Sequence, residues 1–174
     1  MTAAGRVFWL TGLAGAGKTT LAGELTAELR RQGRSCVMLD GDALRVVLGA
    51  QKLYSRAERL ELALTYSRLC KLLSDQGFDV VCATVSLFHA VQSWNRENLS
   101  HYTEVVLQVP AEVLHQRDQK GLYSGALKGN ITEVMGLDLS PEWPRNPDVV
   151  LINDGSQDPR ALVLELLDGL KPEA

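Results

Sequence analysis

The sequence lacks any long hydrophobic run. No stretch approaches the roughly 18 consecutive apolar residues that cross a bilayer, which excludes a helical membrane protein. Cysteine is scarce: Cys36, Cys70 and Cys82 are far apart and odd in number, and no C-x-x-C or Cys/His cluster joins them. That excludes a disulfide scaffold and a zinc module, and it leaves the three as reduced core residues. His89, His101 and His115 are equally scattered and read as surface or packing residues. Excess positive charge is missing too, since 18 Lys and Arg stand against 21 Asp and Glu, a net of -3. A general nucleic-acid binder needs clustered cations, so that class is set aside. The N-terminal MTAAGRVFWLTGLAG shows neither the basic region nor the cleavage pattern of a signal peptide, so a cytoplasmic protein is expected. Repeats and low-complexity tracts are absent as well.

What remains is ordinary globular composition, 45% apolar and 22% charged over 174 residues. This length fits one domain, residues 1–174, able to bury about 70% of its unfolded surface. Short apolar runs alternate with amphipathic segments. Strands are predicted at Val7–Leu10, Cys36–Leu39, Asp79–Thr84, Glu104–Val109 and Val149–Ile152. A helix from Lys18 to Arg31 follows from Leu21, Leu25 and Leu29 recurring every four residues, and Gly33 ends it. A second helix runs from Ala57 to Gln76, with Ser55 as N-cap and Gly77 beyond its end, and a last one from Pro159 to Leu170. Strands apolar on both faces and separated by helices indicate an α/β fold, a parallel sheet in three layers with helices on both faces. Residues 117–147, rich in Gly, Pro and charge, lack periodicity, and a segment so long is expected to be a lid or binding loop.

Gly12-Leu-Ala-Gly15-Ala16-Gly17-Lys18-Thr19 satisfies G-x-x-x-x-G-K-[ST] between a strand and a helix, with Thr20 next. Glycines let the backbone curl until its N–H groups face phosphate oxygens, Lys18 reaches the β- and γ-phosphates, and the Thr19 hydroxyl suits Mg²⁺. The following helix adds its dipole to the anion site. By chance the pattern would occur in under about 1% of chains of this length, so a nucleoside triphosphate site is expected. A GTPase would show an N-K-x-D guanine reader, which is absent, and a motor would need a longer chain. A small kinase with a lid fits better. Asp40-Gly41-Asp42, at the end of the second strand, is by itself either a turn or a metal and proton-transfer pair beside the phosphates. Without further information Arg45, Arg59 and Arg117 read as solvated helix charges. A non-catalytic nucleotide-binding module is the alternative from another class.

GLAGAGKTT, LDGDALR (39–45), YSRAER (54–59), RDQKGLYSGALKGNI (117–131) and GLDLSPEWPRNPDVVL (136–151) together resemble the adenylyl-sulfate (APS) kinases over nearly the whole chain. The resemblance implies a P-loop kinase that moves the ATP γ-phosphate to the 3′-hydroxyl of a sulfated adenosine nucleotide, with a lid over about residues 117–140. It also implies a homodimer. Lys18 and Thr19 would hold triphosphate and Mg²⁺, Asp40 the hydrated metal, and Asp42 would be the base. Arg45 and Arg59 would grip the acceptor's anionic groups, Ser86 would close the third strand, Lys120 would contact the acceptor, and Arg117 would reach ATP.

The departures from that pattern gather on the acceptor side. Typical members have an Asn that contacts adenine where Leu62 stands, and they sandwich the base between two phenylalanines where Tyr54 and Val134 stand. Losing one aromatic face costs roughly 1–3 kcal/mol of stacking. After Ser86, the usual P-Y-R-x-D-R becomes Leu87-Phe88-His89-Ala-Val-Gln, which removes an arginine. The chain is similar in these respects to relatives from capsule-biosynthesis clusters, whose acceptor is a cytidine diphosphate derivative such as cytidine diphosphoramidate. That resemblance implies a smaller pyrimidine beside Leu62 and Val134, with APS itself as the alternative acceptor. The anionic ligands meet local positive charge, because residues 117–128 carry Arg117, Lys120 and Lys128 against Asp118 alone. Trp94 is expected to pack a helix, Trp143 is balanced between packing and substrate stacking, and Tyr123, following Gly121-Leu122, is placed to pack the lid shut; none of the three is taken as a site residue.

Overall fold

Alternation along β1 (Val7–Thr11) sets the layers. Side chains of a strand point to opposite faces in turn, and here all five residues are buried. Phe8 and Leu10 join one apolar cluster while Val7 and Trp9 join the other. The computed structural model describes residues 3–170. Its sheet is parallel throughout, in the order β2-β3-β1-β4-β5, with β2 at Cys36–Asp40, β3 at Asp79–Ala83, β4 at Tyr102–Gln108 and β5 at Val149–Ile152.

Each face takes one pair of helices. Leu21, Leu25 and Leu29 of α1 (Lys18–Arg31) meet Leu162, Val163 and Leu166 of α7 (Pro159–Gly169) over Phe8, Val81 and Leu107. On the other face, Leu62, Tyr66 and Cys70 of α3 (Arg56–Ser74) and Val91 of α4 (His89–Asn98) cover Trp9, Val80 and Cys82. This is the expected three-layer architecture. The cap of α3 is also as read: Ser55 and Glu58 form a reciprocal capping box, and Gly77 follows at φ +91°. Cys36, Cys70 and Cys82 are buried free thiols, and burial pushes the Cys36 thiol up. Trp94 is half-buried against the α3–α4 cluster, a packing residue as expected.

Three short helices escaped the sequence reading. The first, α2 (Gly41–Val47), begins inside the Asp-Gly-Asp, whose pattern allows either a turn or a metal and proton-transfer pair but announces no helix, with Asp40 as its N-cap. Next, α5 spans Ala111–Arg117. Within the segment expected to be an irregular loop, a 3₁₀ turn at Gln119–Gly121 leads into α6 (Leu122–Leu127). Beyond α6 the backbone is irregular up to β5, apart from a bridge between Met135 and Leu139. Two aspartates brace the segment, one at the first turn of α6 and one in the irregular stretch beyond it. Asp118 accepts the N–H groups of Tyr123 (2.9 Å) and Ser124 (3.1 Å), and Asp138 accepts those of Glu133 and Val134. Such side-chain bonds satisfy backbone groups that no ladder reaches.

Candidate active site

All five strands run toward one edge of the sheet, where ligands of open α/β folds gather. That edge carries a cleft of about 1000 Å³. β1 leads into residues 12–17, of which Ala14, Gly15 and Gly17 line it, β2 delivers Asp40, β3 delivers Thr84 and Ser86, and β5 delivers Asn153.

Residues 12–17 form a tight curl entering α1. Gly17, the N-cap, has φ +90°, and a Cβ there would lie 2.5 Å from the Asn153 amide, so only glycine fits. A Cβ on Gly12 would lie 2.6 Å from the Leu107 carbonyl. Gly12 and Ala16 are the two predicted loop residues that do not line the cleft; Gly12 packs on β4 and Ala16 is buried, so both support the curl from behind. The other predicted nucleotide residues, Gly15, Gly17, Lys18, Thr19, Thr20 and Arg117, all line it.

Lys18 donates to the Leu13 carbonyl at 2.8 Å. Burial lowers its ammonium to about 8, overriding the attraction of Asp42 and Asp40. Thr19 donates its hydroxyl to Asp40 Oδ2 at 2.6 Å, while Asp40 Oδ1 accepts the N–H groups of Asp42 (3.0 Å) and Ala43 (3.1 Å). One carboxylate thus joins the phosphate loop to the start of α2. Asp42 occupies the first turn of α2 and pairs with Lys120, which crosses from the segment after α5. Arg117 donates to the Gly15 carbonyl (2.9 Å) and the Asn153 carbonyl (3.1 Å).

The predicted acceptor residues also converge. Arg45 and Arg59 lie on the Tyr54 ring, 5.4 and 5.6 Å from its centroid. Arg45 donates to the Ala50 and Leu53 carbonyls, and Arg59 to those of Tyr54 and Glu133. Burial, then the neighbouring Arg45, pulls the Arg59 guanidinium below its usual value. Leu62 and Val134 are buried apolar lining residues, 8% and 6% exposed. Ser86 meets the Thr84 hydroxyl at 2.6 Å from a backbone at φ +27°. Four non-glycine residues among those described have positive φ, and three of them, Ser86, Lys120 and Glu133, line this cleft. Strain held at that position marks a site the surrounding structure over-determines.

The sequence reading missed several lining residues. Asn153 donates to the Ala16 carbonyl at 2.8 Å, and its position just past β5 was the available signal. Tyr66 donates to the Gly41 carbonyl at 3.2 Å, and burial pushes its hydroxyl up to about 12. Phe88 lines the cleft with Arg56 over its ring, and Glu133 presents the carbonyl that Arg59 uses. His89 bonds the Trp143 carbonyl, at 3.0 Å. Arg96, further along α4, is absorbed by Glu104 and Asp148 and supplies no replacement cation.

The adenylylsulphate kinase family model matches residues 4–152. The chain belongs to this family. It is 40% identical to the cytidine diphosphoramidate kinase of Campylobacter jejuni, over 84% of this chain and 85% of that protein. It is 38% identical to the adenylyl-sulfate kinase of Aeromonas salmonicida, over 95% of this chain and 85% of that one. Among solved structures, the Mycobacterium tuberculosis APS kinase in complex with AMPPNP and APS superposes with a TM-score of 0.88 at 32% identity, covering 96% of this chain and 98% of that one. The shikimate kinase of Aquifex aeolicus shares the fold, with a TM-score of 0.58 at 16% identity. The protein is therefore a P-loop phosphotransferase of the APS-kinase family.

Proposed function

We propose that this family member moves the γ-phosphate of ATP to the ribose 3′-hydroxyl of a cytidine diphosphate derivative such as cytidine diphosphoramidate. The observation that carries the acceptor is the apolar, buried pair Leu62 and Val134 in the cleft, at the positions where the resemblance to APS kinases implies an amide and an aromatic ring. A pyrimidine needs less stacking area than adenine and tolerates that wall. The 40% identity to a cytidine diphosphoramidate kinase supports the same choice.

In this reading Lys18, Arg117 and the loop amides hold the triphosphate and stabilise charge on the transferring group. Thr19 and Asp40, bonded to each other, have the hard oxygen donors Mg²⁺ prefers, and the ion supplies charge neutralisation at the phosphates. Asp42 takes the proton of the attacking hydroxyl. Arg45, Arg59, Lys120 and Ser86 meet the acceptor's anionic groups, and Tyr54 supports its base. Residues 117–140 act as the lid, and the working unit is a homodimer in the cytoplasm. Among the described residues no helix is long and apolar enough to cross a membrane.

The deciding experiment offers ATP with APS and with cytidine and adenosine diphosphate derivatives, follows ADP release, and identifies the product by mass spectrometry. Phosphorylation of the cytidine compound supports the reading. Efficient turnover of APS with none of the cytidine compounds would replace it by an adenylyl-sulfate kinase, and no acceptor-stimulated ADP release would point to a non-catalytic module. Light scattering on the purified protein tests the dimer.

A further inference from the structure

Four consecutive carbonyls of the phosphate loop each accept from a different side chain. Leu13 is held by Lys18 (2.8 Å), Ala14 by Tyr123 (2.7 Å), Gly15 by Arg117 (2.9 Å) and Ala16 by Asn153 (2.8 Å). In a planar trans peptide the C=O of one residue and the N–H of the next point in opposite directions. Pinning carbonyls 13–16 therefore fixes where the next N–H groups aim. That of Ala16 turns back onto Leu13, at 3.1 Å. Those of Ala14, Gly15 and Gly17 are left to be directed by the pinned carbonyls, in the loop whose amides cradle phosphates.

The donors come from separate parts of the chain, and Tyr123 differs from the rest in belonging to α6. Its side chain is almost wholly buried, 3% exposed, with its ring 5.5 Å from that of His115. The same segment touches the loop again further on: a Cβ at Gly136 would lie 2.9 Å from the Leu13 side chain, so backbone there lies flat on Leu13. Between these two contacts, Ile131, Thr132, Glu133, Val134 and Met135 line the acceptor half of the cleft, and just before them Lys120 reaches Asp42.

We propose that Tyr123 is a positioning residue whose hydroxyl ties residues 118–136 to the phosphate loop, so that the segment's seating and the phosphate-ready loop form together. The inference rests on the nucleotide-binding reading of the cleft and is independent of the acceptor's identity. By linkage, a nucleotide in the loop then stabilises the segment, and loss of the tie weakens both.

The test uses the intact protein, AMPPNP with Mg²⁺ as probe, and two variants. Tyr123→Phe removes the hydroxyl and keeps the buried ring; Asn153→Ala releases the loop from the β5 side only. Affinity is measured by calorimetry, and amide hydrogen exchange is followed in peptides covering 12–18 and 118–136. For Tyr123→Phe we expect AMPPNP to bind about three- to tenfold more weakly, the size of one net hydrogen bond. Faster exchange in both peptides and reduced protection of 118–136 by AMPPNP should accompany it. Asn153→Ala should weaken AMPPNP while leaving its protection of 118–136 intact. Wild-type affinity and wild-type protection in Tyr123→Phe, with or without a lower Tm, would overturn the proposal, as would equal loss of protection in both variants. Failure of the unmodified protein to bind AMPPNP would overturn the nucleotide reading and this inference with it.

Discussion

Lys120 Nζ sits 2.5 Å from a carboxylate oxygen of Asp42, joining the segment after α5 to the first turn of α2. Both side chains are more than half exposed, 58% and 67%. An exposed pair contributes little to stability, at most about 1 kcal/mol. Lys120 itself is held at φ +61°, a conformation that costs a non-glycine residue something. The pair is thus weak enough for an anionic acceptor to take the lysine while its hydroxyl takes the aspartate.

Replacing Lys120 by Met should therefore raise the acceptor KM and move Tm by less than about 4 °C. Asp42→Asn should reduce kcat by about 10²-fold or more while AMPPNP affinity stays near wild type. Steady-state kinetics and calorimetry check both. A wild-type kcat in the Asp42 variant would remove it from the role of base.

Lys18 gives a pH signature. In the free protein burial holds it at about 8, against 10.5 for an ordinary lysine. Between those values the unfolded chain binds more protons than the folded one, so this group makes stability rise with pH across that window; below about 8 its desolvated charge is a constant cost. A bound triphosphate reverses the shift, because anionic oxygens favour the ammonium. Nucleotide binding at pH 8 should then take up about half a proton. At pH 6.5 uptake from this residue should vanish. Calorimetry in buffers of different ionisation enthalpy measures it, and Lys18→Ala should abolish the uptake together with nearly all turnover.

Leu62 and Val134 test base choice. Leu62→Asn with Val134→Phe restores an amide and a stacking ring, and should improve kcat/KM for adenine acceptors by about 5- to 150-fold. Val134 is almost fully buried, so overpacking of about 1–3 kcal/mol must be followed through Tm. No gain for adenine in a folded double variant would show that these positions do not set the base.

Local signals explain which parts of this structure could be read beforehand. The boundaries of α1 were legible because three leucines repeat at helical spacing and a glycine follows, and Ser55 because its capping box is contiguous in sequence. By contrast, α2 is a seven-residue helix that starts on glycine, which carries a turn signal and too few residues for a period. The arginines at 45 and 59 were placed by motif, but their convergence on Tyr54 depends on α2 and α3 meeting in space. Asn153 acts through a contact 137 residues away, and Glu133 through a backbone carbonyl, neither of which residue type alone announces. The positive φ values at Ser86, Lys120 and Glu133 are likewise tertiary, imposed on side chains that disfavour them.

Asp40 combines two duties that substitution can separate. Its Oδ1 caps α2 through Asp42 and Ala43, and its Oδ2 takes the Thr19 hydroxyl beside the phosphate loop. Asparagine is as good an N-cap as aspartate, while alanine loses about 1 kcal/mol there. Asp40→Asn should accordingly keep Tm within about 2 °C of wild type yet raise the Mg²⁺ concentration needed for half-maximal turnover, because the anionic oxygen is gone. Asp40→Ala should show the same metal defect plus a fall in Tm of about 2–4 °C. Thermal unfolding and Mg²⁺ titrations of activity distinguish the two. If Asp40→Asn kept the wild-type Mg²⁺ dependence, Asp40 would be a helix cap alone, and the cation would depend on Thr19 and the phosphates.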